Sequence, residues 1–393
     1  MKKMLISSFD MEVGGVERSL LSMLGHFDYE AYEVDLHLHS HTGDLFADLP
    51  SKAKLLPELK AYKTFRKSIV QNIKDKQFPI VLARLLAKYR VAYCKSTESG
   101  YKQMQYMWRY TLPFLPALKQ EYDVAISYLW PHDFVAEKVQ AKIKIAWIHT
   151  DFSTIETDKV LDLKVWKQFN HIVAVSEECK QAFLRKYPSL ADKTTVVENI
   201  RSPKLIENQA NEPLESRMAK DNRFKIVTVA RLSHAKGIDR AVQAFKYLKA
   251  KGHSNIAWYV VGYGGDEEML QSLIQENNLE NDFLLVGKKM NPYPYIKAAD
   301  LYVQPSRYEG KAVTICEAQI LAKPVLITNY PTAVSQVKSY EDGVICEASI
   351  EGIASGIEEM LHNSGLRSQL TSKCKSINYH NEKELEKLYE LMN

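Results

Sequence analysis

The feature of this sequence that most constrains its fold is a regular alternation of short apolar runs with longer amphipathic stretches. The apolar runs have the length and composition of buried strands, and the amphipathic stretches have the length of helices. Strands and helices that alternate in this way form parallel sheets covered by helices. The sequence therefore predicts an α/β fold. The predicted strands are 3–8, 33–39, 124–128, 143–149, 171–176, 195–198, 225–230, 257–261, 283–286, 301–304, 324–327 and 343–346.

The chain is long enough for two domains, because 393 residues allow each of two domains to bury its own core. The segment 202–222 is polar, carries Pro203 and Pro213 and lacks apolar periodicity, so we predict a linker there. Two doubly wound domains joined at this point are expected to face each other across a cleft, with ligands at the carboxyl ends of the strands. The predicted helices include 15–24, 177–187, 237–251, 267–277, 313–321 and an amphipathic C-terminal helix at 378–393.

Composition and cysteine usage favour a globular protein of the cytoplasm. Apolar residues make up 46% and charged residues 25% of the chain, and no apolar run is long enough to predict a membrane-spanning helix. Residues 1–9 form a brief apolar stretch followed by the acidic Asp10 and Glu12, which is typical of a first buried strand and not of a signal peptide. Five scattered cysteines without metal spacing indicate reduced thiols.

Positive charge is concentrated in residues 52–110, the basic segment, which contains fourteen Lys or Arg residues against three acidic ones. This pattern suits an anionic membrane surface or an acidic polymer, and it also fits an ordinary basic helical surface. No nucleic-acid motif accompanies the segment, so we predict no nucleic-acid partner. The apolar residues interleaved with the charges are Tyr62, Phe65, Phe78, Leu82, Leu85, Leu86, Tyr89, Tyr93, Tyr101, Tyr106 and Trp108.

Two glutamates separated by seven residues, Glu309 and Glu317, lie where a predicted strand passes into a predicted helix. Backbone N–H groups at the start of a helix are free to hold an anion. We expect Glu309 at the mouth of the loop and Glu317 about two turns along the helix. The same spacing also fits a solvated helix face that carries two acids. The residues expected to face the anion are Gly310, Lys311, Ala312 and Val313.

A pair of cations follows another predicted strand. Arg231 comes directly after the strand, and Lys236 precedes the next predicted helix. Arginine as a planar fork and lysine as a point charge can together clamp a pyrophosphate. Ordinary surface cations are a weaker explanation, because the start of a helix disfavours positive charge.

Two glycine turns also follow predicted strands. Gly14 and Gly15, with Val16, open a helix after the first strand, where the backbone can approach a diphosphate closely. Gly262 and Gly264 form a later turn. Neither turn is a dinucleotide fingerprint, because the first lacks the G-x-G-x-x-G spacing and the second lacks the acidic residue that should end the next strand. A turn with no ligand explains either pattern equally well.

These motifs resemble those of a known enzyme family. The run from Tyr308 to Ala318 is similar to the E-x7-E signature of retaining glycosyltransferases of the GT-B fold, in particular family 4, the group 1 type. The run from Val229 to Asp239 looks like the Gly/Ala-Arg-Leu…Lys-Gly element of this family. The resemblance covers most of the C-terminal half of the chain and extends more faintly into the N-terminal half. It implies two doubly wound Rossmann-like domains facing across a cleft.

The resemblance implies roles for the candidate residues. Glu309 would contact the donor sugar and support charge at the reacting centre, and Glu317 would bind the ribose hydroxyls. Arg231 and Lys236 would stabilise the departing diphosphate. His149, at the end of a strand, would contact the donor sugar, although a histidine there is equally typical of a structural residue. The residues expected beside the diphosphate are Gly14, Gly15 and Val16, and those beside the nucleotide base are Gly262 and Gly264.

The resemblance also implies a division of roles along the chain. Residues 1–202 would form an acceptor-binding domain, residues 203–377 a nucleotide-sugar-binding domain, and residues 378–393 a helix that crosses back to the first domain. The implied reaction is hexosyl transfer with retention, from a nucleoside diphosphate sugar, most often a UDP-sugar, to an acceptor hydroxyl. No cofactor and no metal site are predicted, since the sequence contains no Asp-x-Asp pair and no zinc spacing.

The basic segment favours a lipid-linked acceptor at the inner face of the cell membrane, as in the synthesis of cell-envelope polysaccharides or teichoic-type polymers. Two other functions stay open. One is a different GT-B enzyme, such as a sugar-nucleotide epimerase or a phosphorylase, and the other is a non-catalytic nucleotide-sugar-binding partner of an envelope complex. Lys311 stands where the family usually has an apolar residue, and Ala312 stands where it frequently has Gly or Pro. The identity of the transferred sugar is therefore not predicted.

Overall fold

The computed structural model of the protein describes residues 1–92 and 100–393. These residues form two compact units, each built around one parallel sheet. The predicted α/β class with two doubly wound domains is therefore confirmed. Unit 1 comprises Met1–Glu12, Val16–Ile200 and Glu382–Asn393, and unit 2 comprises Val13–Gly15 and Arg201–Asn381.

Unit 1 contains a seven-stranded sheet. Its strands are β1 Lys2–Ser8, β2 Tyr32–Leu38, β3 Lys54–Leu55, β4 Glu121–Ser127, β5 Gln140–Ile148, β6 His171–Ala174 and β7 Thr194–Val196. Their spatial order is β3-β2-β1-β4-β5-β6-β7, and all of them are parallel. The helices are α1 Gly15–Gly25, α2 Lys60–Lys63, α3 Ile69–Lys74, α4 Phe78–Ala92, α5 Gly100–Thr111, α6 Asp133–Lys138, α7 Lys159–Trp166 and α8 Glu177–Lys186.

Unit 2 contains a six-stranded sheet. Its strands are β8 Phe224–Val229, β9 Ile256–Val261, β10 Phe283–Gly287, β11 Leu301–Gln304, β12 Val325–Thr328 and β13 Val344–Cys346. Their order is β10-β9-β8-β11-β12-β13, again all parallel. The helices are α9 Pro203–Ala210, α10 Ile238–Ala250, α11 Glu267–Glu276, α12 Tyr293–Ala298, α13 Val313–Ile320, α14 Ile350–His362 and α15 Ser364–Ser376, and a last helix, α16 Lys383–Leu391, belongs to unit 1.

The sheet of unit 2 buries both of its faces, as the continuous apolar runs predicted. Trp258 and Val260 of β9 pack with α10 and α14 on one face. Tyr259 and Val261 of the same strand pack with α9, α12 and α13 on the other face. Successive side chains of a strand point to opposite faces, so an unbroken apolar strand must be covered on both. The twelve predicted strands are all present, and among residues 1–92 and 100–393 the two-residue β3 is the one strand that was not predicted.

Two predicted segments differ from the structure. The predicted linker 202–222 contains α9, which begins at Pro203 and packs Ile206 and Ala210 against the core of unit 2. Proline is favourable in the first turn of a helix, so it marks a helix start here rather than a flexible connection.

The predicted C-terminal helix starts at Lys383 and not at residue 378. The side chain of Asn381 instead accepts a hydrogen bond from the backbone of Arg201, 2.9 Å away.

Helix α16 packs into unit 1 through its apolar face. Leu385, Leu388 and Met392 are buried. The ring of Tyr389 stacks on that of Tyr32, with centroids 5.5 Å apart. Lys2 donates a hydrogen bond of 3.0 Å to the carbonyl oxygen of Met392. The last residues of the chain thus complete the core around the first strand.

Substituting Leu388 by alanine should lower the free energy of unfolding by about 2–5 kcal/mol, because the side chain is fully buried and its removal leaves a cavity. Urea unfolding followed by circular dichroism would measure the loss. Glu386→Ala, on the exposed face of the same helix, should change stability by less than about 0.5 kcal/mol. Equal effects of the two substitutions would contradict the packing of α16 described above.

Several predictions concern particular parts of the described chain. Cys179, Cys316, Cys346 and Cys374 form no disulfide with one another, and the predicted reduced thiols are confirmed for these four. Cys94, Tyr93 and other residues between 93 and 99 in the basic segment lie outside the described residues. Among the helices of residues 1–92 and 100–393, none has the length and apolarity needed to cross a membrane.

Candidate functional site

The candidate residues of unit 2 come together at the point where the strand order reverses. The chain runs outward from β8 through β9 to β10 and then returns to the other side of β8 to form β11. In sheets of this kind, ligands bind beyond the carboxyl ends of the two strands at this switch point. Arg231 and Lys236 follow β8, and Glu309 follows β11. The two motifs that the sequence analysis identified separately therefore lie side by side.

Glu309 is a nearly buried carboxylate held by three donors. Its side chain is 6% exposed, and its Oε2 atom lies 2.5 Å from the Nζ atom of Lys236. Its Oε1 atom accepts hydrogen bonds from the hydroxyl of Ser306 at 2.7 Å and from the amide of Gln304 at 3.1 Å. A buried charge requires such partners, and together they leave the carboxylate a single orientation.

A second ion pair ties the Lys236 turn to the Glu309 loop. Arg307 donates two hydrogen bonds to Asp239, of 2.7 and 2.6 Å, in the bidentate arrangement favoured by a guanidinium and a carboxylate. It donates a third bond of 2.7 Å to the carbonyl of His234. The contact between Lys236 and Glu309 is therefore built on two connected loops.

Gly237 allows these loops to approach each other. Its φ angle is +65°, and a Cβ atom at this position would lie 2.1 Å from the carbonyl oxygen of Pro305. A side chain is therefore excluded by both backbone conformation and space. The glycine that ends the Lys-Gly motif has a structural role, because it seats α10 directly on the loop that carries Glu309.

The loop from Glu309 to Ala312 is braced by residues that the sequence analysis missed. The hydroxyl of Thr332 donates to the carbonyl of Glu309 at 2.9 Å. The side-chain amide of Gln336 accepts from the N–H of Ala312 at 3.1 Å and donates to its carbonyl at 2.8 Å. Tyr330 in turn donates to Gln336 at 2.9 Å. No motif or periodicity marks these residues, since Thr332 and Gln336 contact a backbone that lies 23 and 24 positions earlier in the chain.

Two expectations about α13 need correction. The helix begins at Val313, so Glu317 lies about one turn into it and not two. Two turns is the distance from Glu309, which lies in the loop before α13. The N–H of Ala312, predicted to be available for an anion, already binds Gln336. Gly310 and Lys311 lie between these anchors, in the loop itself.

Glu317 projects from α13 into a largely buried position. Its side chain is 6% exposed, and its Oε1 atom accepts a hydrogen bond of 2.9 Å from the hydroxyl of Tyr293. Tyr293 opens α12, which packs against α13 on the same face of the sheet. The solvated helix face that the sequence left open as an alternative is therefore excluded for both glutamates.

Arg231 contrasts with Lys236. It is exposed, and within the described part of the chain its guanidinium has no hydrogen-bond or ion-pair partner. Gly262 and Gly264 lie beside it, because a Cβ atom on either would come within about 2 Å of a backbone oxygen of Ala230 or Leu232. The structure thus explains both glycines by the close approach of the β8 and β9 loops.

His149 lies in unit 1, directly after β5. Its ring centroid is 4.7 Å from that of Tyr128, which follows the neighbouring β4. Burial lowers the pKa of His149 to about 3, so the imidazole is neutral at physiological pH. Its Nε2 atom has no hydrogen-bond partner among the described residues.

Val16 begins the unit 1 part of α1, whereas Gly14 and Gly15 group with unit 2.

Comparison with solved structures identifies the class of fold. The structure superimposes on that of Anabaena HepE, solved in complex with UDP and glucose, with a TM-score of 0.71 over 99% of each chain and 16% sequence identity. Likeness at this identity establishes the fold alone. The chain therefore has the GT-B fold, as predicted.

Sequence comparison then identifies the family of unit 2. Residues 212–376 match the family of group 1 glycosyl transferases, so this part of the chain belongs to that family and the predicted resemblance is confirmed there. The matched segment contains Arg231, Lys236, Glu309 and Glu317.

Two curated relatives extend this result. The capsular polysaccharide biosynthesis glycosyltransferase CapM of Staphylococcus aureus is 29% identical over 216 residues, which is 51% of this chain and 54% of the relative. An N-acetylgalactosaminyltransferase of Campylobacter jejuni, named for a diphospho-undecaprenol substrate, is 27% identical over 173 residues, or 44% of this chain and 46% of the relative. The chain spans about half the length of the curated relatives it matches.

Proposed function

We propose that this protein is a retaining glycosyltransferase that moves a hexosyl group from a UDP-sugar to an acceptor hydroxyl. The observation that carries the proposal is the ion pair between Lys236 and the nearly buried Glu309 at the switch point of unit 2. Arg231 follows the same strand as Lys236 and has no partner within the described residues. A carboxylate paired with a lysine, with a second cation after the same strand, suits a donor whose sugar becomes positively charged while its diphosphate departs. Membership of unit 2 in the group 1 family supports the same conclusion.

The two cations would act on the leaving group. Breaking the glycosidic bond places an additional negative charge on the diphosphate, and preorganised cations stabilise that charge. Arg231 is available for this role because it has no partner within the described residues. Lys236 has three N–H donors, so it would donate hydrogen bonds to Glu309 and to a phosphate oxygen at the same time. A protein that neutralises the diphosphate in this way needs no divalent cation for that step.

The two glutamates would act on the sugar and the nucleoside. The nearly buried Glu309 would support the positive charge of an oxocarbenium-like transition state. Its bonds from Ser306 and Gln304 would keep it from rotating as the charge develops. Glu317, one turn into α13, would bind the ribose hydroxyls, and Tyr293 would hold it in place.

The first test is donor binding and turnover across a panel of UDP-, GDP- and ADP-sugars. Arg231→Ala should weaken binding of the preferred donor by about 10- to 100-fold, because it removes charge-assisted hydrogen bonds to the diphosphate. Lys220→Ala, which removes an exposed cation of unit 2, should leave binding unchanged. Calorimetric titration with each nucleotide sugar measures both.

Turnover separates the proposal from the alternative functions. Nucleoside diphosphate release that requires an acceptor supports a glycosyltransferase, and retention is read from the anomeric configuration of the product by NMR. Turnover of the donor without an acceptor, or with phosphate alone, would instead indicate an epimerase or a phosphorylase. Binding without turnover under any condition would indicate a nucleotide-sugar-binding partner.

We further propose that the acceptor is a lipid-linked or polymeric glycan of the cell envelope. The printed names of the two relatives, one in capsular polysaccharide synthesis and one with a diphospho-undecaprenol substrate, support this class of acceptor. A lipid-linked acceptor resides at a membrane surface, and helices α3 and α4 of unit 1 present a surface that suits binding to a membrane.

Helix α4 is apolar on two faces. One face is buried and consists of Ile80, Ala83, Ala87 and Val91. The other is exposed, and its residues recur at positions i, i+4, i+7, i+8 and i+11, the spacing of a single helix face. These exposed residues are Phe78, Leu82, Leu85, Leu86 and Tyr89, with Val70 and Ile73 of α3 also exposed.

Positive charge accompanies this exposed apolar face. Lys74, Lys76 and Lys88 are exposed and make no ion pair within the described residues. An apolar face bordered by lysines matches the surface of a bilayer that contains anionic lipids, where leucine side chains enter the interface and lysines remain at the headgroups. We propose that α3 and α4 hold the protein on the inner face of the cell membrane.

Binding of the protein to vesicles should depend on the negative charge of the lipids and on the exposed apolar side chains of α4. The protein is expected to sediment with vesicles that contain phosphatidylglycerol, and less so with pure phosphatidylcholine or at high salt. Each buried leucine contributes roughly 1.5–3 kcal/mol, so Leu82→Ser combined with Leu86→Ser should weaken binding by at least about 100-fold. Leu205→Ser, at an equally exposed leucine of α9, should have no effect. Equal losses with the control would contradict the assignment.

A further inference from the structure

Three potential metal ligands meet on the surface of unit 2, at the opposite edge of the sheet from Arg231 and Glu309. They are His253, Glu358 and His362. One ligand atom from each lies within 4.8 Å of the others. The Nε2 atom of His253 is 2.9 Å from Oε1 of Glu358, and the two imidazole centroids are 5.3 Å apart.

Regular structure positions all three side chains. Glu358 and His362 are four residues apart on α14, so they project from the same face of the helix. His253 lies in the short connection between α10 and β9, where Gly252 adopts a φ of +96° and turns the chain out of the helix. Helices α10 and α14 pack together in the core of unit 2, and this packing holds His253 close to Glu358 and His362.

We propose that His253, Glu358 and His362 bind a transition metal ion of the zinc class. Two imidazoles and one carboxylate form a donor set that zinc accepts in tetrahedral sites, with water as the fourth ligand. Bonds of about 2.0–2.2 Å place ligand atoms roughly 3.4 Å apart in a tetrahedron. The observed separations reach this value through small rotations of partly exposed side chains.

Lys251 is the group that competes with a metal at this place. Its Nζ atom lies 2.9 Å from the other oxygen of Glu358, and its side chain is 41% exposed. A long exposed lysine can withdraw into water at little cost, since such surface pairs contribute little to stability.

The position of the cluster separates it from sugar transfer. His253 precedes β9, and α14 ends at His362, so the cluster lies at the amino edge of the parallel strands. Arg231 and Glu309 lie at the carboxyl edge of the same sheet. The bound ion would thus join the α10–β9 connection to the end of α14 and stabilise unit 2, without contacting the donor. The inference does not depend on the proposed function.

The test uses the full chain after treatment with EDTA and dialysis. Zinc alone is titrated against a chromophoric chelator, and one equivalent is expected to bind. His253→Ala and His362→Ala should each weaken binding at least about 10- to 100-fold, because loss of a ligand costs no less than loss of its supporting contacts. His171→Ala, at a partly exposed histidine of unit 1, should bind like the wild type.

Two further measurements separate a metal site from a simple ion-pair network. Cobalt should give the visible absorption of a tetrahedral nitrogen and oxygen site in the wild type but not in His253→Ala. Lys251→Met should bind zinc at least as tightly as the wild type, since it removes the competing cation. No stoichiometric zinc binding, or equal affinity of the wild type and His253→Ala, would overturn the proposal.

Discussion

Replacing Glu309 by glutamine is expected to lower turnover by about 100- to 1000-fold, the usual cost of removing one preorganised charge from an active site. Glutamine has nearly the same size, and its oxygen can still accept hydrogen bonds from Ser306 and Gln304, which should keep the loop in place. Its amide nitrogen is a donor and no longer accepts from Lys236. The lost charge would leave the developing positive sugar without support. Donor binding should change much less than turnover, because the proposed contacts of the diphosphate are with Arg231 and Lys236. Nucleoside diphosphate release and donor titration measure the two effects.

Glu341→Gln serves as the matched control for this experiment. Glu341 is an exposed carboxylate of the same unit, so its substitution should leave turnover unchanged. If Glu309→Gln retained turnover within tenfold of the wild type, Glu309 would not support the reacting sugar, and the functional proposal would lose its main residue. Circular dichroism on both variants ensures that any loss does not arise from unfolding.

Substituting Gly237 by alanine should lower the free energy of unfolding by about 3 kcal/mol or more. Two costs add here. A side chain at a φ of +65° is strained by about 1–2 kcal/mol, and its Cβ would lie 2.1 Å from the carbonyl oxygen of Pro305. Relief of that clash requires the loop that carries Glu309 to move away from Lys236. Turnover should therefore fall together with stability.

Gly252 supplies a control with similar backbone strain but no clash. Its φ is +96°, and a Cβ at this position would meet no atom within 4 Å. Gly252→Ala should cost only the conformational strain, about 1–2 kcal/mol, and should preserve turnover. Urea unfolding of both variants measures the difference. If the two substitutions were equally destabilising, the close approach of Gly237 to Pro305 would contribute nothing.

The strands were predictable from the sequence because burial leaves a local signal. A parallel strand covered on both faces must be apolar at every position, as Trp258 to Val261 illustrate. Strand β3 lacks that signal, since it has only two residues and one of them is Lys54. Helix α9 was missed for a related reason, because its short buried face consists of Pro203, Ile206 and Ala210 among polar residues.

The candidate site was predictable only in part. Arg231, Lys236 and Glu309 could be proposed because each stands next to a strand end and within a recognisable motif. Gln336 could not, since it contacts the backbone of Ala312, 24 positions earlier, and only the folded chain brings the two together. The predicted depth of Glu317 in α13 was wrong although the predicted start at residue 313 is right, because two turns is the distance from Glu309, which lies in the loop before the helix.

The same limit applies to the histidine cluster. His253 and Glu358 are 105 positions apart, so a search for closely spaced metal ligands in the sequence could not relate them. Packing of α10 against α14 creates their proximity. Local spacing thus predicts elements and motifs, whereas side-chain constellations arise from the contacts between elements.

The return of α16 to unit 1 has a consequence for how the protein is made. A ribosome that has synthesised residues 1–200 must still add roughly 180 residues of unit 2 before α16 emerges, which takes about 10–35 s at typical rates of synthesis. During that interval the nascent unit 1 displays Tyr32 and the apolar surface that Leu385, Leu388 and Met392 later cover. Unit 2, by contrast, is nearly continuous in the chain. It can reach its native core before α16 is made, so unit 1, whose strands are synthesised first among residues 1–393, is the unit whose folding is completed last.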